Sequence, residues 1–111
     1  MIQYRLLARN SNKTAANLLT ASNLENNMKR DFRNAYNALK KMGVPVYVRE
    51  DMDGRFQISA EDPESHQWAD YYAYARADWD FGVNPKIDAL LGKYNLHSEW
   101  INAGELGVYR N

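Results

Sequence analysis

The sequence contains no cysteine. That removes disulfide staples, thiolate metal sites and cysteine nucleophiles together. No apolar run approaches the ~18 residues that a membrane span needs. The opening stretch MIQYRLLARNSNK is polar every second or third residue and lacks the apolar core of a secretory signal. Phosphate-cradling, dinucleotide-binding and serine-elbow patterns are all missing. Histidine is scarce, with only His66 and His97 present. These absences lead to the expectation of a cytoplasmic, non-enzymatic protein without cofactor, metal site or membrane contact.

Net charge is also absent, since 14 basic residues balance 14 acidic ones. The balance hides a sorting by position. From Met1 to Arg49 nine bases face two acids, and from Glu50 to Asp80 nine acids face two bases. The acidic stretch also carries Trp68, Tyr71, Tyr72, Tyr74, Trp79 and Phe81. Charge sorted in this way bears on partners and association, not on fold.

At 111 residues the chain fits a single compact domain, expected to run from residue 1 to 111. Ile2, Tyr4, Leu6 and Ala8 alternate with polar neighbours, the pattern of an N-terminal strand. Thr14 to Thr20 fits a helical turn or two. Ser22-Asn23-Leu24-Glu25 matches a capping box. Leu24, Met28, Phe32, Ala35, Tyr36, Leu39 and Met42 then recur at threes and fours, with Gly43 beyond. The spacing predicts an amphipathic helix from about Asn23 to Met42.

Val44 to Arg49 and Arg55 to Ala60 read as two strands joined through the Asp53-Gly54 turn signal. Asp62-Pro63 opens a second predicted helix, with a buried stripe of Trp68, Tyr72, Ala75 and Trp79 and a stop at Gly82. Asn84-Pro85 opens a third, with Ile87, Leu90, Leu91 and Tyr94 facing inward. Ser98 to Ala103 fits one more helical turn, and Glu105 to Tyr109 a short final strand. The expected fold is α+β: a small, mostly antiparallel sheet with two or three helices on one face. Trp68, Tyr72 and Trp79 should then pack against Phe32, Tyr36 and Leu39.

Few residues offer chemistry. His97-Ser98-Glu99 has the His-x-Glu of zinc deaminases but lacks the cysteine pair that must follow it. Asp51, Asp53 and Gly54 miss the spacing of a calcium loop. Asp78 and Asp80, two apart, point to different faces of a helix and form no local dyad.

The acidic aromatic segment carries the functional expectation. Tyrosines at the margin of a buried stripe, beside carboxylates, resemble the hot spots of protein interfaces. Asp70, Tyr71, Tyr74, Asp78 and Asp80 are the expected contact residues, and a protein with a basic surface is the expected partner. An inhibitor or modulator of the anti-CRISPR or anti-restriction type would suit such a face. The alternative is a nucleic-acid-binding accessory protein using Lys29, Arg30, Arg33, Lys40 and Lys41 on the first long helix. The two charged regions could also meet between copies in a homodimer.

Overall fold

A computed structural model describes residues 28–73 and 76–111. The strand expected through Ile2, Tyr4, Leu6 and Ala8, the turn at Thr14 to Thr20, the Ser22 capping box and positions Tyr74 and Ala75 lie outside the described residues.

Helix α1 spans Arg30–Met42 and buries Phe32, Ala35, Tyr36 and Leu39. Its start corrects the expectation of Asn23. Lys29 is the N-cap, in extended conformation, and its amide donates to the Gly54 carbonyl at 3.2 Å. Met28 and Lys29, the two described residues before α1, are not helical, and Lys29 is tied to the Asp53-Gly54 turn instead. The stop is as expected. Gly43 takes a φ of 91°, and its amide bonds back to the last turn, where a Cβ-free residue is favoured.

Strands β1 (Val46–Tyr47) and β2 (Gln57–Ser59) pair antiparallel. They are joined through a 3₁₀ turn at Glu50–Met52, with Asp53 and Gly54 both at positive φ. Helix α2 spans Pro85–Lys93. Pro85 fills its first position, and the Asn84 side-chain oxygen accepts from the Lys86 amide at 2.9 Å. That satisfies one of the unpaired donors of the first turn. Ile87 and Leu91 are fully buried, with Leu90 and Tyr94 packed beside them.

Strands β3 (Leu96–Asn102) and β4 (Glu105–Arg110) form a hairpin. The helical turn expected at Ser98 to Ala103 is thus a strand. Leu96, Ser98 and Trp100 alternate toward the helices. Asn102 closes the short Ala103-Gly104 loop by accepting from the Gly104 amide at 2.9 Å. The final strand is where the sequence placed it.

The sheet has four antiparallel strands in the order β1-β2-β4-β3. Both helices bury their stripes against Ile58, Leu96, Leu106 and Val108 in one core. The architecture is a small α+β domain with two α-helices among the described residues. None of these helices is long and apolar enough to cross a membrane.

The second predicted helix is the largest correction. Asp62 and Pro63 do begin a helical turn, but it is 3₁₀ and ends at Gln67. A second 3₁₀ turn covers Tyr71–Ala73. Backbone pairing explains the difference. Ala69 bridges Val83, the Asp70 amide donates to the Gly82 carbonyl at 2.8 Å, and the Asn84 amide donates to the Trp68 carbonyl at 2.9 Å. Groups that an α-helix would bond four residues along are bonded instead to residues 82–84. The chain between them leaves the core as a closed arm. Trp68 is half-buried against the core, but Tyr72 is 81% exposed. Tyr72 therefore does not pack on α1 as expected, and neither does Trp79, which is half-buried under the Arg76 guanidinium and outside the core.

Candidate functional site

The arm returns through a tight turn, Asp80-Phe81-Gly82-Val83. Asp80 and Val83 exchange backbone hydrogen bonds at 3.0 and 3.1 Å. Phe81 has φ 52° and Gly82 φ 82°, the two positive values that a two-residue hairpin turn needs. Gly82 suits its place for a second reason: a Cβ there would stand 2.5 Å from the Asp70 carbonyl oxygen. Phe81 does not suit its place by propensity. A bulky residue in the left-handed region costs about 1–2 kcal/mol. Its ring gains no burial in exchange, since the residue is 70% exposed. Strain of this kind concentrates at functional positions.

Trp100 of β3 ties the arm to the sheet. Its indole N–H donates to the Phe81 carbonyl at 2.7 Å. The Tyr71 ring meets the Trp100 ring edge-on, with centroids 5.3 Å apart, and the Tyr72 ring at 5.6 Å. The large exposed apolar side chains among the described residues are Tyr71, Tyr72, Phe81 and Ile101. All four belong to this arm or to the strand end next to Trp100. Tyr71, Tyr72 and Phe81 form an aromatic rim with Trp100.

Beside the rim lies a pocket of about 290 Å³, lined by Asp80, Phe81, Val83, Asp88, Ser98 and Trp100 together with Leu96, His97 and Leu106; both ring nitrogens of His97 are engaged elsewhere, by Glu99 and Asn111. Asp88 stands in the first turn of α2. It accepts a hydrogen bond from the Ser98 hydroxyl at 3.1 Å and shares the pocket lining with the Asp80 carboxyl. Burial first, and the neighbouring Asp80 carboxyl second, push Asp88 up to about 6. The α2 N-terminus favours a negative charge there, and the Ser98 bond does too, but both are outweighed. Like carboxyls in contact cannot both ionise cheaply. The pair can share a proton or take up a cation.

The residues expected to form one contact face are dispersed along the arm. Tyr71 is on the rim, and Tyr74 lies outside the described residues. Asp70 is half-buried and structural, its carboxylate capping the Tyr72 amide at 3.1 Å. Asp78 is held by Arg76 in a two-point ion pair at 2.6 and 3.1 Å, which keeps its carboxyl below the usual range. Arg76 also lies over the Trp79 ring at 4.7 Å. Only Asp80 faces the pocket.

The basic set stays together on α1 and its cap. Lys29, Arg30, Lys40 and Lys41 are exposed, whereas Arg33 is half-buried. Lys40 lies over the Tyr36 ring at 5.2 Å. Asp31 interrupts this set and is bound by Arg110 at 2.8 and 2.9 Å.

Sequence reasoning missed Phe81, Asp88, Ser98 and Trp100. The Asp-Phe-Gly-Val run did carry a turn signal, but Gly82 had been read only as a helix stop. Among the described residues, no three histidine or acidic side chains gather as metal ligands. No protein-family model matches the chain, and neither does any curated protein or solved structure.

Proposed function

We propose that this protein is a non-enzymatic protein-binding module whose contact surface is the aromatic rim of Tyr71, Tyr72, Phe81 and Trp100. One observation carries the reading: the large exposed apolar side chains lie about one tryptophan, three of them on a backbone arm that leaves the core. Monomeric proteins rarely leave such a patch uncovered without a use for it. Tyrosine and tryptophan give large, rigid contact area at low entropic cost. The carboxylate of Asp80, beside Phe81 and Trp100, suits a partner with a basic surface, steering its approach. An inhibitor that occupies a basic groove, of the anti-CRISPR or anti-restriction kind, would be built in this way.

The test is affinity capture from the source cell with the parent and with Tyr72→Ala, each with and without nuclease treatment. The parent should retain a protein that survives nuclease and that the variant loses. Equal capture by both would remove the rim from the interface. Capture that nuclease abolishes would favour the basic face of α1 instead.

A further inference from the structure

We infer that the pocket between the Asp80–Val83 turn, α2 and β3 receives the cationic side chain of a lysine or arginine from the protein partner. Asp80 and Asp88 would meet its charged end, and Phe81 and Trp100 would line its stem. This rests on the protein-binding reading above and adds the chemistry of the group that is bound.

Charge complementarity is the first support. Asp31, Asp51, Asp78 and Glu105 each pair with an arginine, and Glu99 meets His97. Asp80 and Asp88 pair with no lysine or arginine among the described residues; Glu50, Asp53, Glu61, Asp62 and Glu64 do not either, but those are exposed to water, whereas Asp88 is half-buried in the pocket lining. Two neighbouring carboxyls in the lining of one partly apolar pocket favour a proton or a cation between them. Ser98 occupies one oxygen of Asp88, which leaves acceptor positions on both carboxyls for N–H donors.

Shape is the second support. A volume of about 290 Å³ lies at the low end for small-molecule sites, which run from roughly 300 to 1,000 Å³. It suits one long side chain. Apolar walls match a methylene stem, and the two aromatic rings can attract the cation through their faces. A divalent ion would ask for six or more oxygen ligands, and the Asp80, Asp88 and Ser98 side chains together carry five. The strained backbone at Phe81 is the third support, because it holds one wall of the pocket out at the turn tip.

The test uses the full chain and simple probes, followed by proton–nitrogen NMR. Nα-acetyl-arginine amide and Nα-acetyl-lysine amide should shift the Trp100 indole and the Ser98 and Val83 amides saturably. Nα-acetyl-norleucine amide, with no charge, should not. Asp88→Asn should weaken the response at least tenfold, and Phe81→Ala, on an exposed side chain, at least threefold. Absence of saturable shifts would overturn the inference. So would equal binding by Asp88→Asn, or a response to calcium or magnesium in place of the amides. Concentration-dependent dimerisation that Asp88→Asn abolishes would also overturn it, by making a second copy of this chain the occupant. The two readings fail separately. If Tyr72→Ala loses the captured protein while the amides leave the pocket unshifted, only the pocket assignment falls.

Discussion

Replacing Asp88 by Asn should stabilise the protein at neutral pH, although it removes a charged group from the end of a helix where charge is favoured. Asp88 is pushed from the ordinary 3.8 up to about 6, chiefly by burial and then by Asp80. A rise of that size corresponds to about 3 kcal/mol between charged and neutral forms. The carboxyl is only half withdrawn from water, so screening brings the net figure to about 1–2 kcal/mol. The sign follows from proton binding. Between about pH 4 and pH 6 the folded chain holds a proton on Asp88 that the unfolded chain has released. Stability is therefore fully present below the unfolded value and is lost as pH rises through the folded one.

Other groups act in different windows. Asp31, Asp78 and Glu105 are held low by arginines and lose their stabilising effect only as the pH falls through those low values. His97, raised by Glu99 and Asn111, loses its contribution above its ordinary 6.5. Urea unfolding followed by tryptophan fluorescence, in steps from pH 4.5 to 8, isolates Asp88 as the difference between parent and variant. That difference should grow through pH 6 and level off above pH 7, with the Asn form the more stable. Parallel curves, or a less stable variant at pH 7.5, would refute the burial and pairing described for this carboxyl.

Three further outcomes are expected. Phe32→Ala should cost about 3–5 kcal/mol in urea unfolding, because Phe32 is fully buried and meets the Phe56 ring edge-on at 6.4 Å; an unchanged midpoint would remove it from the core. Gly82→Ala should lower stability by about 2 kcal/mol or more, from positive φ together with a Cβ against the Asp70 carbonyl, and the altered Trp100 environment should show in near-ultraviolet circular dichroism. Changing Lys29, Lys40 and Lys41 to Gln should leave partner capture intact; binding of the parent to short duplexes at low salt that these changes abolish would instead support the nucleic-acid reading.

The core was readable from the sequence because its elements carry local punctuation. Gly43 after α1, Asp53-Gly54 between β1 and β2, and Asn84-Pro85 before α2 each mark a boundary that backbone sterics enforce. The stripe of Phe32, Ala35, Tyr36 and Leu39 is a periodicity that only one helix face can satisfy. The arm was misread because its pattern is equally periodic. Trp68, Tyr72, Ala75 and Trp79 have helical spacing, but the backbone groups near Trp68 and Asp70 are claimed by Gly82 and Asn84 from across a loop. Local spacing carries no record of that competition. The site was half legible for the same reason. Asp80 and Tyr71 stood out by composition, whereas Asp88, Ser98 and Trp100 join them only when α2 and β3 fold against the turn.

The position of β4 has a consequence for how the molecule comes into being. It is the latest of the described strands in the chain, yet it lies inside the sheet, with β2 on one side and β3 on the other. During synthesis the β1–β2 hairpin emerges first, and a short isolated hairpin has little stability of its own. It has no neighbour to join until Glu105–Arg110 has been made. The β3–β4 hairpin closes locally, but the pairing of Ile58 with Leu106 must draw together distant parts of the chain, and loop closure of that kind slows folding. A chain lacking Glu105–Arg110 would thus keep only a two-stranded fragment of this sheet, with the Ile58 edge unpaired. Removing Glu105–Arg110 should therefore be a defect of the whole sheet, whereas a change at the exposed Tyr72 side chain should be felt only at its surface.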